Sequence, residues 1–269
     1  MSRQKKLLGQ RDAIRMNWIV GVSHDIRTPL SIVLGYSDEL EQDERLLVEV
    51  RKKMDIIRTE SLRIKNLIND LNLISELNYD GRFFHVQRVY PAKFLRGLIV
   101  EYMNKKLENS YSFEFAADEA ALSVFINGDA RLLNSAVRNL IQNSMNHNPQ
   151  GCNIMVRLER KPEWLRITVS DDGKGVSGEK LLELNHMPLY IDSTDVQMNL
   201  RHGLGIMITR KIVDHHHGQI HMESAEGRGF STVLSFPFAL SGDFLFTTKV
   251  WMKPRVLANF KDNKEFKNS

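Results

Sequence analysis

The sequence contains a single cysteine, Cys152, and no apolar stretch long enough to span a bilayer. One cysteine excludes an internal disulfide and suits a reducing compartment. The longest apolar stretches, such as Trp18 to Val22, fall far short of the roughly 20 residues that a transmembrane helix needs. The residues after Lys6 provide no apolar region of the secretory type. These absences predict a protein of cytosolic character.

The net charge is also small, at +4 over 269 residues, and it is unevenly distributed. Residues 249–269 hold six basic and two acidic side chains, which accounts for the whole excess. A basic tail can bind nucleic acid or an anionic membrane, but it is more often a solvated end, so we expect no specific nucleic-acid partner. Hydrophobic residues make up 42% of the chain, which argues against wholesale disorder.

Two long helices are predicted at the N-terminal end. The first runs from about Arg3 to Glu41, with a bend expected at Pro29. The second has a stripe with alternating steps of three and four, as in a coiled-coil seam, formed by Leu47, Val50, Met54, Ile57, Ser61, Ile64, Ile68, Leu71 and Ser75. Two antiparallel helices cannot bury both stripes well alone. We therefore predict a homodimeric four-helix bundle, and a helical hairpin packed on the next domain is the alternative.

The pattern of the chain changes at Asn78 to Gly81, after which shorter predicted helices and strands follow one another. Helices are predicted at Pro91 to Leu107, Asp129 to Asn146 and Gly203 to His216. Strands are predicted at Phe83 to Val89, Tyr111 to Phe115, Leu122 to Ile126, Asn153 to Glu159, Trp164 to Ser170, Gln219 to Ser224 and Ser231 to Phe236. This mixture predicts an α+β fold, an α/β sandwich with helices over one face of a mixed sheet. We expect domains at 1–78 and 79–240, and a basic extension at 241–269.

The stretch from Ser23 to Leu30 carries a histidine away from the apolar side of the first helix. That side is marked by the spacing of Ile19, Val22, Ile26, Leu30 and Val33. His24 lies about 200° from Val22, so we expect it to face solvent, with Asp25 beside it and Thr28 one turn further on. An imidazole beside a carboxylate is a nucleophile beside a candidate base, and an ordinary surface histidine is the alternative.

Three asparagines, Asn139, Asn143 and Asn146, form a polar stripe on the helix that follows Asp129. Asparagine is a poor residue for a helix interior, so three on one face need a reason. A neutral oxygen ligand for Mg²⁺ is one such reason, because that ion takes few protein ligands. An exposed polar face near a fraying helix end is the alternative.

Two glycine-containing segments follow. In Asp171-Asp172-Gly173-Lys174-Gly175, a carboxylate at a strand end can accept a hydrogen bond from an exocyclic amine, although such a sequence is also a common turn. Gly203-Leu204-Gly205 immediately precedes a helix, whose N-terminal backbone donors suit phosphate groups.

The octapeptide Ser-His-Asp-Ile-Arg-Thr-Pro-Leu resembles the phosphoacceptor box of bacterial sensor histidine kinases. The order and spacing of the asparagine helix and the two glycine segments resemble the N, G1 and G2 boxes of the ATPase domain of that family, which gyrase, Hsp90 and the mismatch-repair ATPases share in outline. The resemblance covers about residues 12 to 238.

The resemblance implies a role for each matching residue. His24 takes the γ-phosphate of ATP, Asp25 acts as the base, and Thr28 orients water for dephosphorylation. Asn143 is the Mg²⁺ ligand, and Asp171 reads the adenine amine. The other residues expected to bind ATP are Asn139, His147, Gly173, Gly175, His202, Gly203 and Gly205.

Some positions depart from the family pattern. Asn146 stands where Lys or Arg is usual, and His147 where an aromatic residue is usual. The segment Glu179 to Arg201 lacks the usual paired phenylalanines, and we expect it to form a mobile lid over the nucleotide. The run His215-His216-His217 is expected to cap its helix at the surface, because consecutive helical histidines cannot readily converge on one metal ion.

The resemblance implies the core of a homodimeric kinase that phosphorylates itself on His24 and passes the phosphoryl group to an aspartate of a response regulator. A kinase-weak protein that mainly dephosphorylates its regulator and a non-catalytic dimeric scaffold are the alternatives. A stand-alone ATPase is disfavoured because Gln142 lies where those enzymes carry a catalytic glutamate. With no sensor domain or membrane span in the sequence, we expect the cytosolic part of a membrane-bound sensor from which the N-terminal region was removed.

Overall fold

The computed structural model describes residues 3–78, 84–104, 111–186 and 204–238, and for residues 3–20 and His24 it describes the backbone alone. Seven helices lie in these ranges: α1 (Arg3–Gln42), α2 (Val48–Asn78), α3 (Pro91–Met103), α4 (Glu119–Leu122), α5 (Ala130–His147), α6 (Gly178–His186) and α7 (Leu204–His215). Seven strands accompany them: β1 (Gln87–Val89), β2 (Ser112–Ala117), β3 (Ile126–Gly128), β4 (Asn153–Arg160), β5 (Trp164–Asp171), β6 (Gln219–Ser224) and β7 (Phe230–Pro237). Within the same ranges, no helix combines enough length and apolarity to cross a membrane.

The helices α1 and α2 pack along each other through side chains that recur every seven residues. The buried positions of this repeat are Ser23, Leu30 and Ser37 on α1 and Ser61, Ile68 and Ser75 on α2, while Leu77 of α2 is buried in the core that follows. Small serines let the two backbones approach, and the Ser37 hydroxyl donates to the Val33 carbonyl at 2.7 Å, so it is not buried unpaired. The helix α1 continues through Pro29, and the expected bend there stays a prediction.

The hairpin leaves part of its apolar stripe uncovered in a single chain. Ile26 and Val33 on α1 and Ile57 and Ile64 on α2 are all at least 40% exposed. These residues lie beside the buried serine, leucine and isoleucine positions, at the three- and four-residue spacing of a seam. The hairpin therefore has a second apolar surface along its length.

The seven strands form two sheets, a five-stranded mixed sheet of order β2-β4-β5-β7-β6 and a two-stranded sheet of β1 and β3. The strands β2 and β4 are parallel and all other neighbours are antiparallel. Alternate residues of β4, β5 and β7 point into one core, which α3, α5 and α7 cover. The predicted α+β fold, with a helical region followed by helices over a mixed sheet, is confirmed. The expected division at 1–78, 79–240 and 241–269 stays a prediction.

Several predicted boundaries were wrong. The strand expected from Phe83 is only Gln87–Val89, and the strand expected at Leu122 to Ile126 is instead the end of α4 followed by β3. Both strands are short because they pair only with each other, Val89 opposite Ile126. The helix expected to reach Leu107 ends at Met103. The first part of the expected lid is the helix α6, whose Leu184 packs on Met222, and residues 187–203 lie outside the described ranges.

Candidate functional site

The polar face of α5 lies against the start of α7. A Cβ placed on Gly205 would lie 3.5 Å from Asn143 Oδ1 and 3.8 Å from Asn139 Cβ, so the glycine borders both asparagines. The Nδ2 atom of Asn139 is buried and has no hydrogen-bond partner within the described ranges. An unpaired buried donor is costly unless a ligand satisfies it. The structure thus brings together three of the residues expected to bind ATP, beside the N-terminus of a helix.

The carboxylate of Asp171, at the end of β5, accepts three hydrogen bonds. Ser144 Oγ donates to Oδ2 at 2.6 Å, and Asn148 Nδ2 and the Gly173 amide donate to Oδ1 at 3.3 and 3.0 Å. The helix α5 supplies two of these donors from its last turn and C-cap, and the turn after β5 supplies the third. The carboxylate is therefore fixed at the C-terminal end of α5.

The turn that follows Asp171 is packed too closely for side chains at its glycines. Gly175 has φ +63°, and a Cβ there would lie 2.1 Å from the carbonyl oxygen of Ala225. A Cβ on Gly173 would lie 2.0 Å from Asn148 Oδ1. Gly175 is therefore required by the local backbone and Gly173 by the close approach of the Asn148 side chain, whatever further part they take in binding.

The other expected site residues are dispersed. Asp25 and Thr28 are exposed on α1, and the His24 side chain, His202 and Gly203 lie outside what the structure describes. His147 is exposed at the end of α5. Asn146, in the place expected for a cation, is exposed and accepts a hydrogen bond from Gln142 at 2.9 Å.

The hairpin contacts the second domain near the end of α2. Arg131 on α5 pairs with Glu76 at 3.2 Å, and His215 Nε2 donates to the Leu77 carbonyl at 2.7 Å. Beside this contact lies an open cleft of about 380 Å³ between α1, α2 and α5, lined in part by Arg27, Asn72 and Arg131. The segment from Ser23 to Leu30 thus borders, through Arg27, the same helix whose other positions form the asparagine face.

The expectation that the histidine run is a surface cap was wrong for His216. That side chain is 3% exposed; its Nε2 accepts from the Asp129 amide at 3.0 Å and its Nδ1 donates to the Ile212 carbonyl at 2.7 Å. Burial lowers the pKa of His216 to about 4. His216 directly follows the last residue of α7, and its backbone amide still donates to the carbonyls of Ile212 and Val213, so the chain turns there with the imidazole directed inward.

Sequence reasoning missed Ser144 and Asn148. Both are buried and both contact Asp171, yet serine in a helix and asparagine at a helix end are ordinary residues there. In the sequence, Asn148 is one more polar residue after the asparagine stripe, and nothing there indicates that it contacts Asp171. Their importance depends on the approach of β5, which is 23 or more residues away in sequence.

Two family models match this chain. Residues 15–79 match the His Kinase A (phospho-acceptor) domain, and residues 128–240 match the Histidine kinase-, DNA gyrase B-, and HSP90-like ATPase. The matched ranges together make up about two thirds of the chain. They contain, respectively, the segment around His24 and the site formed by α5, β5 and α7.

Curated relatives include the sensor histidine kinase YvrG of Bacillus subtilis, 29% identical over 88% of this chain and 40% of its own length. The phosphate regulon sensor protein PhoR of Haemophilus influenzae is 25% identical over 84% of this chain and 53% of its own length. The chain therefore spans about half or less of these relatives.

Among solved structures, full-length ShkA in complex with AMPPNP superposes with a TM-score of 0.63 at 21% identity, over 84% of this chain and 46% of that one. The histidine kinase AdeS of Acinetobacter baumannii superposes with a TM-score of 0.53 at 14% identity, over 81% and 98%. At such identities the superpositions establish the fold alone. The two family models and the curated relatives show that this chain belongs to the histidine kinases and is the catalytic core of a two-component sensor histidine kinase.

Proposed function

We propose that the protein phosphorylates itself on His24 with Mg-ATP and transfers the phosphoryl group to an aspartate of a response regulator. The observation that carries this proposal is the contact of Asn139 and Asn143 with Gly205 at the start of α7, with Asp171 held at the other end of α5, in a chain whose α1 bears the phosphoacceptor sequence. The carboxylate suits an amine of a nucleotide base, and the unpaired donor of Asn139 suits an anionic or carbonyl acceptor.

The triphosphate would lie at the start of α7. Gly205 has no side chain to obstruct it, and the first backbone amides of a helix favour phosphate groups. Asn143 would hold Mg²⁺ through its carboxamide oxygen, which is a neutral oxygen ligand of the kind this ion accepts. The described ranges contain no cluster of three or more His, Cys, Asp or Glu that could hold a metal, which fits an ion held mainly by substrate phosphates. When bound, the ion would neutralise phosphate charge.

The chemistry on the protein side is simple. A ring nitrogen of His24 forms a bond to the γ-phosphorus, the bond to the β–γ bridging oxygen breaks, and ADP leaves. Asp25 accepts the imidazole proton. In the second step the N–P bond breaks as an aspartate oxygen of the regulator takes the phosphoryl group. Thr28, exposed one turn after the histidine, would orient water in the reverse, dephosphorylating direction. Positioning and charge neutralisation carry most of the catalysis in such transfers.

The exposed apolar stripe of the hairpin supports a homodimer. Four residues at least 40% exposed on two adjacent helices would be buried by a second copy in a four-helix bundle. From the family, we propose that this core lies in the cytoplasm as part of a membrane-bound sensor.

Incubation with Mg-[γ-³²P]ATP tests the kinase proposal. We expect label that is stable to base and labile to acid, absent in His24→Gln and reduced at least about tenfold in Asn143→Ala. His221→Gln, which changes an exposed histidine on β6, is the matched control and should label normally. Label retained in His24→Gln would exclude His24 as the acceptor.

A kinase-weak protein that mainly dephosphorylates its regulator is the second candidate. It is favoured by Asn146, whose exposed amide stands where the family has a cation and is bonded to Gln142. Such a protein would label weakly but would release phosphate from a phosphorylated regulator, and Thr28→Ala would lose this release. A non-catalytic scaffold would show neither reaction, and excess Mg-ATP would leave its melting temperature unchanged.

A further inference from the structure

We propose that Ser144 and Asn148 are positioning residues that set the base specificity of the nucleotide site, by presenting Asp171 to a 6-aminopurine and against a 6-oxopurine. The inference rests on the proposed nucleotide binding and extends it to two residues that contact the Asp171 carboxylate. It follows from the hydrogen-bond geometry around one carboxylate.

The orientation of the Asn148 amide is determined by its partners. Its Oδ1 accepts from the Lys174 amide at 3.1 Å, and its Nδ2 donates to the Ser144 carbonyl at 2.8 Å and to Asp171 at 3.3 Å. A flipped amide would place Nδ2 against an N–H and Oδ1 against two acceptors. The side chain is only 8% exposed, so water cannot easily replace these bonds. Asn148 therefore presents a donor to Asp171.

Two close contacts keep Asn148 in this place. The Tyr111 hydroxyl lies 3.0 Å from the Asn148 carbonyl oxygen and donates to it. Gly173 leaves the space that the amide occupies, since a Cβ there would lie 2.0 Å from Oδ1. The helix end, the residue before β2 and the glycine turn thus converge on Asn148.

The acceptor capacity of Asp171 is nearly filled. A carboxylate has roughly four acceptor positions, two on each oxygen. Oδ1 accepts from Asn148 and the Gly173 amide, and Oδ2 accepts from Ser144. Counting donors from the described ranges alone, one position remains, on Oδ2, and the group facing it must be a donor.

This remaining position distinguishes the two purine classes. The 6-amino group of adenine is a donor and can complete the set. The 6-oxo group of guanine or hypoxanthine is an acceptor and, with the base in the same position, would face an oxygen that three donors hold in place. The neighbouring N1–H of these bases is a donor, but it would reach the carboxylate only if the base shifted. A site built around a hydrogen bond strongly rejects the analogue that cannot make it.

Displacement of a fluorescent trinitrophenyl-ATP by ATP or inosine triphosphate (ITP) tests the inference, because at the reading position these ligands differ in a 6-amino or 6-oxo group. We expect the wild type to bind ATP at least about tenfold more tightly than ITP. Ser144→Ala should lower that ratio by about tenfold, mainly by weakening ATP binding. Ser144→Thr keeps a hydroxyl and should restore most of the ratio. Ser135→Ala, on the same helix but away from Asp171, is the matched control and should leave the ratio unchanged.

Asn148→Ala should lower the ratio in the same way as Ser144→Ala. Each ratio is measured on one sample, so a smaller folded fraction in a variant does not change it. Equal weakening of ATP and ITP binding, or no weakening, would mean that the two residues serve only the fold and would overturn the inference. Equal affinity of the wild type for ATP and ITP would overturn it too, while leaving nucleotide binding intact. If neither ATP nor ITP displaced the probe from the wild type, the proposed function and this inference would be overturned together.

Discussion

The imidazole of His216 accepts a hydrogen bond from the backbone amide of Asp129, although the two residues are 87 positions apart. Asp129 is the N-cap of α5, and its Oδ1 accepts from the amides of Arg131 and Leu132 at 3.0 and 3.3 Å. The end of α7 therefore fixes the start of the helix that carries the asparagine face. The bond requires Nε2 of His216 to be unprotonated.

Acid should weaken this connection. Burial lowers the pKa of His216 to about 4 in the folded chain, below its ordinary value of about 6.5. The unfolded chain therefore takes up the proton first as the pH falls. The stabilisation is present above pH 6.5 and is lost as the pH falls towards 4, by about 3 kcal/mol in all. Urea unfolding at pH 7.5, 5.5 and 4 measures this loss.

A variant without the buried imidazole should not show this loss of folding stability at low pH. His216→Gln is expected to be less stable than the wild type at pH 7.5, and the difference should shrink as the pH falls to 4. His221→Gln, in which the exposed histidine of β6 is changed, should follow the wild type. A constant difference between His216→Gln and the wild type across this range would contradict the buried neutral imidazole.

The single cysteine should be inert in the folded protein. Burial raises the pKa of the Cys152 thiol to about 11, and the charges of Asp171 and Asp172 add to the effect. Because the thiolate is the reactive form, we expect the reaction with a disulfide reagent at pH 8 to be roughly hundredfold slower than in the unfolded chain. Absorbance of the released thiol measures the rate, and guanidinium chloride provides the unfolded reference. Rapid stoichiometric reaction of the native protein would show that the thiol is accessible.

Dimerisation should depend on which of two adjacent isoleucines is changed. Ile57 is 41% exposed and belongs to the apolar stripe, whereas Ile56 is 61% exposed and points about 100° away from it. Lysine at position 57 would place a charge in the dimer seam, so we expect Ile57→Lys to be monomeric. Ile56→Lys should remain a dimer. Sedimentation equilibrium measures both masses, and two variants of equal mass would exclude this seam.

Replacement of Asn143 should abolish the effect of Mg²⁺ on the affinity for ATP. Without its carboxamide oxygen, Asn143→Ala should bind ATP equally well with Mg²⁺ and with a chelator, whereas the wild type should bind at least about tenfold more tightly with Mg²⁺. Asn139→Ala, one turn earlier on the same face, should weaken ATP binding in both conditions and retain the effect of Mg²⁺. Titration of ATP in a calorimeter measures the affinities. An unchanged Mg²⁺ effect in Asn143→Ala would exclude Asn143 as the ligand.

The helical hairpin was predictable because its information is local. Steps of three and four residues identified both long helices, and Leu30 and Ile68 are buried as their stripes required. The buried serines at positions 23 and 37 were not predicted on the contact face. Their burial depends on the partner helix, whose own serines leave room for close approach.

The candidate site likewise combines residues that were predictable from local sequence with residues that were not. Asn139, Asn143, Asp171 and Gly205 were singled out from residue types, spacing and the family resemblance, and Asn139, Asn143 and Gly205 meet at the α5–α7 contact. Their roles in binding stay predictions. Ser144 and Asn148 were missed because nothing nearby in sequence distinguishes them from ordinary polar residues. Only the pairing of β5 with β4 and β7 brings Asp171 to the end of α5, where these two side chains become its partners.

The sequence by itself determined the helix periods, the order of helices and strands, and the chemical groups available for phosphoryl transfer, because each depends on residues a few positions apart. The tertiary structure alone decided which polar groups are buried and what they face. It made His216 a neutral acceptor at the start of α5 and gave Asp171 three donors. The physical reason is that removal from water makes every hydrogen bond obligatory, and partners many residues away supply them.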